Sequence, residues 1–170
     1  MNLLLCFGIV LLCGYIGRQL SNRAAQRLEF FRAYASAMVS LADSVTGMSL
    51  ELSRALEAVR GSSAVGEIFA ECGSKLRAMP QLRFAAIWRE SFERHTAQLT
   101  SINKEDMRVI MDAGDAIEAL CRNPSRKQAD GYLNRLDKYI AEMEIDKRKK
   151  CRLFSAGGVL AGLFIALLVI

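Results

Sequence analysis

His95 is the sole histidine of the chain, and Ser91 precedes it by one helical turn. A nucleophile and a base at that spacing can touch, but acyl-transfer chemistry also needs an orienting third group and an oxyanion site. Neither is evident nearby, so His95 reads as a helix-core or helix-surface residue. A di-iron Glu-x-x-His pair is excluded because Phe92 occupies the glutamate position. Asp112, Asp115 and Glu118, with Glu105 and Asp106 upstream, recur at helical spacing. They suit a solvated helix face or a basic partner better than a cation, which wants oxygens from a turning loop. No GxxxxGK[ST] loop occurs, so any nucleotide chemistry belongs to a partner. Cys6, Cys13, Cys72, Cys121 and Cys151 form no metal-like spacing, and this odd, scattered set points to a reducing compartment. The expectation is a protein without catalytic residues, cofactor or metal.

The elements that must position these residues lie between two uncharged ends. Every Lys, Arg, Asp and Glu falls between Arg18 and Arg152. The tail from Leu153 to Ile170 is apolar or small throughout, and as a helix it would be about 27 Å long, close to the ~30 Å hydrocarbon core of a bilayer. Met1 to Gly17 is a second apolar run, with its positive charges after it rather than before it, unlike a signal peptide. The expected division is therefore a transmembrane helix at 1–20, a cytoplasmic helical bundle at 21–152 and a transmembrane helix at 153–170.

The formal charge of +5 is concentrated at the inner ends of these runs. Arg18, Arg23, Arg27 and Arg32 follow the first, and Lys147, Arg148, Lys149, Lys150 and Arg152 precede the second. Between Ala33 and Asp146 there are 14 basic and 17 acidic residues, which argues against a nucleic-acid surface. Basic collars of this kind face anionic lipid and place the central domain on the cytoplasmic side.

Within the middle, apolar residues alternate by threes and fours. Leu28, Phe31, Ala35, Met38, Ala42 and Val45 predict a helix over 21–46, widened by Phe30, Tyr34, Ala37 and Leu41 and ended by Gly47. Further helices are expected at 50–60, capped by Ser49, and at 64–79, where Val65, Ile68, Phe69, Cys72, Leu76 and Met79 share a seam. Gly66 and Gly73 would weaken the latter by about 1 kcal/mol each. Pro80 then breaks the chain, and 82–99 follows with Ala85, Trp88, Phe92, His95 and Leu99. Asn103 and Asp106 mark the start of 104–121, and Asn123-Pro124 the start of a last helix that continues to the basic collar. The fold class is all-α: roughly six helices in an antiparallel bundle, flanked by an N-terminal and a C-terminal transmembrane helix.

The chain resembles the stage III sporulation protein AB family of endospore-forming bacteria. The resemblance rests on the overall layout, on Ile87-Trp88 near the middle, and on Gly158-Val159-Leu160-Ala161-Gly162-Leu163 in the tail, which follows the pattern Gly-x-Leu-x-Gly-Leu. The family's Pro-Leu turn is here Ser49-Leu50, and its Leu-Gly-x-Ser-Asp segment is replaced by Leu120-Cys121-Arg122-Asn123-Pro124-Ser125. The resemblance implies a non-enzymatic membrane platform or adaptor in the channel between mother cell and forespore. It further implies similarity to the six-helix cytoplasmic domains of type II secretion and type IV pilus platform proteins. Its expected partners are a cytoplasmic secretion-type ATPase, other membrane subunits and, as an alternative, further copies of itself. The rival expectation is a membrane-anchored sensor or enzyme that binds a small ligand. In an up-down bundle the distal turns offer the contact surface, which nominates Glu51, Arg54, Arg126 and Gln128.

Gly158, Gly162 and Ala166 are spaced as small-xxx-small, which permits close approach of two membrane helices. Gly162→Ile is expected to weaken association in a membrane two-hybrid assay while leaving insertion intact; unchanged association would remove this role.

Overall fold

A computed structural model describes the backbone of residues 2–47, 50–59, 63–122 and 126–169. Side-chain environments are described for residue 19 and for most of 21–149. Six α-helices and no strand occur among the described residues: α1 Asn2–Thr46, α2 Leu52–Ala58, α3 Ser63–Ala78, α4 Phe84–Arg94, α5 Lys104–Arg122 and α6 Arg126–Val169. The chain divides into two compact units, one of Met1–Leu28 with Ala141–Ile170 and the other of Glu29–Ile140. Among the described residues no helix is long and apolar enough to cross a membrane. The two apolar runs, with Gly158, Gly162 and Ala166, lie outside the residues whose side chains are described.

In the Glu29–Ile140 unit the helix directions follow from which residues meet. Phe31 packs edge-on to Tyr139 and Tyr34 reaches Tyr132, so α1 and α6 run antiparallel. Lys75 meets Glu90 while Glu71 meets Arg94, so α3 and α4 do the same. Glu118 reaches Arg83 and Trp88 reaches Ile110, which makes α4 and α5 antiparallel as well.

Most of the α1 seam is buried: Leu28, Phe31, Met38, Ala42 and Val45 are covered, as are Tyr34, Ala37 and Leu41, whereas Phe30 and Ala35 are half-buried. Gly47 closes the helix with its N–H donating to the Asp43 carbonyl at 2.8 Å. Trp88 is fully buried and contacts the rings of Tyr34, Phe69, Phe84 and Phe92 at centroid distances of 4.8–6.5 Å. Its indole N–H donates to the Ile110 carbonyl at 2.8 Å, using the lone pair that the α5 ladder leaves free.

Several boundaries differ from the sequence expectation. The second helix is shorter, beginning at Leu52 with Glu51 in the N-cap position and no side-chain cap; Ser49, the expected cap, lies outside the described residues. The fourth stops at Arg94 rather than Leu99, because residues 95–98 form turns in which Gln98 and Leu99 donate back to the His95 carbonyl. Met79 and Leu82 carry the largest displacement. Periodicity places Met79 on a helix seam and starts the next helix at Leu82, but both sit in the α3–α4 turn at 45% and 44% exposure.

Gly73 also has a different role from the helix weakener that its type suggests. A Cβ there would lie 2.8 Å from the Ser53 carbonyl oxygen and 2.9 Å from Glu57 Cγ, so its absence is what lets α2 lie directly on α3. Gly114 does the same for α4, since a Cβ would meet Trp88 Cδ1 at 3.1 Å and Ala85 Cα at 3.3 Å. Gly131 on α6 faces open space. Gly73→Ala and Gly114→Ala are each expected to destabilise the full chain by about 1–3 kcal/mol through overpacking. Gly131→Ala should stabilise it by about 0.4–1 kcal/mol. Chemical denaturation in detergent checks this ordering, and three equal effects would refute it.

Candidate interaction site

The residues nominated from the sequence fall into two groups. Glu51 and Arg54 are exposed, because α2 buries Ser53, Ala55 and Leu56 on its other side. Arg126 and Gln128 belong to the first turn of α6, and their side chains lie outside the described residues. Of the collar residues, Arg23, Arg148 and Lys149 are exposed and Lys147 is half-buried, whereas Arg18, Lys150 and Arg152 lie outside the described side chains.

His95 and Ser91 do lie one turn apart, but not as a nucleophile and its base. His95 Nδ1 lies 2.9 Å from the Ser91 backbone carbonyl, an acceptor only, so the ring nitrogen donates there rather than to Oγ. Ser91 is fully buried, and Lys75 Nζ donates to its Oγ at 3.4 Å. Around them α3 and α4 interleave their charges. Lys75 pairs with Glu71 at 2.8 Å and Glu90 at 3.0 Å, and Arg94 with Glu90 at 2.8 Å. Burial would lower the Lys75 pKa, but hydrogen bonds and charge from Glu71 and Glu90 outweigh it and hold it above the usual lysine range. The two helices are zipped electrostatically.

The acidic row on α5 separates in the same way. Asp106, expected on a solvated face, is fully buried. Its Oδ2 accepts the Asn103 N–H and its own N–H donates to Asn103 Oδ1, both at 2.8 Å, forming a reciprocal cap at the start of α5. Tyr139 O–H donates to Asp106 Oδ1 at 2.8 Å and ties α6 to that cap. Glu118 caps a different helix: its Oε2 accepts the Ala85 N–H in the first turn of α4 at 3.4 Å, and its Oε1 takes Arg83 and Arg122. Burial opposes its ionisation, yet the Ala85 N–H and the two guanidiniums lower its pKa below the usual carboxylate range. Asp112 and Asp115 stay exposed.

On either side of Arg83 the outer surface of α4 and α5 is grooved. One depression of about 320 Å³ is bordered by Arg83, Ala86, Arg89, Glu93 and Asp115. The other, of about 300 Å³, is bordered by Arg83, Asp115, Glu118, Ala119 and Arg122. Both are open and charged at the rim, which suits contact with a macromolecule better than enclosure of a small one. A small apolar cavity of about 20 Å³ lies between α1, α5 and α6, lined by Met38, Ile117, Leu133 and their neighbours. Among the described residues no cluster of three or more metal-ligating side chains occurs.

Comparison with known families returns the model of stage III sporulation protein AB, matched over residues 2–170. The chain belongs to the stage III sporulation protein AB family. Comparisons with curated proteins and with solved structures return no match. Membership extends over both apolar runs and the whole helical middle, so the role of the chain is related to sporulation.

Three ionisable groups hold the core of this family member together. Tyr132 O–H donates to the Val109 carbonyl at 3.0 Å, and Tyr34 lies 3.2 Å from the Tyr132 hydroxyl. Burial pushes Tyr132 up from 10.0 to about 12 and Tyr34 well above its ordinary value. Burial likewise pushes the Cys72 thiol from 9.0 to about 11, against a lowering hydrogen bond from Ser91. Raised acid pKa values mean that the unfolded chain ionises first, so their stabilisation is intact below pH 9 and is lost as pH rises through 9–12. Melting temperature is expected to fall steadily over that window. Cys72→Ala should flatten its lower half, and a profile unchanged by that variant would refute the assignment.

Proposed function

We propose that this protein is a non-enzymatic platform or adaptor, a membrane subunit of a secretion-like sporulation channel that couples a cytoplasmic ATPase to other envelope components. The observation that carries the reading is the family match over residues 2–170, which takes in both uncharged runs together with the helical middle. In this reading Met1–Gly17 and Leu153–Ile170 cross the membrane, and the basic collars hold the Glu29–Ile140 unit in the cytoplasm, on the mother-cell side. Their lengths and lack of charge support it.

Further support comes from the packing. The fully buried Ser91 and the cap-forming Asp106 are groups that a catalytic reading would want exposed to substrate. The rival ligand-binding sensor needs a polar cavity in the bundle, whereas the cavity between α1, α5 and α6 is small and apolar. The exposed Glu51 and Arg54 on α2 are offered here as part of the ATPase contact.

Extraction from sporulating cells in mild detergent with ATP present is expected to bring the secretion-type ATPase down with the tagged full chain. Glu51→Lys with Arg54→Glu should reduce its recovery. Absence of the ATPase from the wild-type eluate would sink the adaptor reading, and undiminished recovery with the double variant would remove α2 from the contact.

A further inference from the structure

The turn from Met79 to Arg83 presents two large apolar side chains to solvent at one point, Met79 at 45% and Leu82 at 44% exposure. Hydrophobic burial drives folding at roughly 25 cal/mol per Å², so an apolar pair left outside is an unused contact surface. The charges around it are arranged unequally. Arg83 and Arg122 are 71% and 74% exposed, whereas the carboxylate they share, Glu118, is only 14% exposed. Arg77 projects in the same manner, more exposed than its partner Glu57. Glu118 is turned inward to the Ala85 N–H, so the guanidiniums form the outward face.

We propose that the α3–α4 turn is a docking surface for a protein segment that sets leucine-like side chains beside a short block of carboxylates. Met79 and Leu82 would take the apolar side chains, and Arg77, Arg83 and Arg122 the carboxylates, as paired forks suited to them. Methionine and arginine are both enriched at protein interfaces. The neighbouring grooves limit the carboxylate block. Glu93 and Asp115 border them beyond Arg83, so a segment acidic along its whole length would be repelled there.

The carboxylates of Glu93 and Asp115 beside the surface favour a protein segment over anionic lipid. Arg83 meets Glu118 near the end of α5, whose Leu120 shares a cavity with Ala42 of α1 and Ala129 of α6. The turn thus lies at the end of this unit where α1 finishes and α6 begins. The chain leaves the unit at Glu29 and Ile140, its opposite end. This surface deepens the adaptor reading and rests on it for the identity of the partner, but its recognition chemistry can be tested separately.

The test uses the full chain in neutral phosphatidylcholine nanodiscs and a fluorescein-labelled peptide with two leucines next to a short glutamate block. Saturable binding by anisotropy is expected, at least about tenfold weaker for the counterpart with lysine in place of glutamate. Met79→Ser with Leu82→Ser, and separately Arg77→Gln with Arg122→Gln, should each weaken binding about tenfold while the thermal melt is retained. Equal binding of the two peptides, or full affinity in both double variants, would overturn the proposal. So would displacement of the peptide by phosphatidylglycerol vesicles, which would make the surface a lipid site, or a smaller particle mass for the Met79→Ser/Leu82→Ser variant, which would assign it to a second copy. ATPase recovery measured with the same serine variant separates the two readings. Loss of recovery supports both, whereas full recovery overturns the ATPase as the occupant of this surface and leaves the adaptor standing.

Discussion

The indole of Trp88 is held from two directions, and the packing of the helical unit follows from how that is satisfied. Its N–H must find an acceptor once buried, and it finds the Ile110 carbonyl in the middle of α5. Reaching that carbonyl requires α4 to approach α5 closely, which Gly114 permits one turn further on. With the ring fixed there, Phe69, Phe84, Phe92 and Tyr34 close around it at edge or tilted angles, each such pair contributing about 0.5–1.5 kcal/mol beyond burial. Tyr34 then passes the constraint to Tyr132 on α6.

Polar groups around this core act mainly as fasteners between helices. Asp106 and Asn103 cap α5, and Tyr139 borrows that cap to hold α6. Glu118 supplies from α5 the cap that Arg83, at the N-cap of α4, does not. Lys75 sits between Glu71 and Glu90 to hold α3 and α4. Where such a pair is substantially exposed, as Arg77 with Glu57 between α3 and α2, it contributes little, and its value lies in fixing which helix faces which neighbour. The titratable groups named here are thus engaged in joining one helix to the next.

Much of this was legible in the residues. The Asn103–Asp106 spacing announced the cap, and the three-four alternation on α1 named the side chains that are buried. Ser91 and His95 were placed one turn apart correctly, although spacing alone does not reveal that the ring turns to a backbone carbonyl. Glu118 was invisible as a cap because its partner lies 33 residues away, on another helix. Met79 misled for a related reason: period alone continues the helix seam into a residue that the turn at Pro80 swings outward, and the next helix begins at Phe84 rather than Leu82.

By itself the sequence determined the helical class, the number and order of the helices, the uncharged ends and the placement of the basic collars. These depend on local propensity and on periodicity along one segment, both of which are properties of neighbouring residues. Only the tertiary structure decided that Gly73 and Gly114 are contact points rather than weak spots, that Asp106 is interior, and that the α3–α4 turn shows arginine and apolar side chains together. Those outcomes turn on distances between helices, which are set when side chains far apart in the chain compete for the same volume and the same hydrogen-bond acceptors.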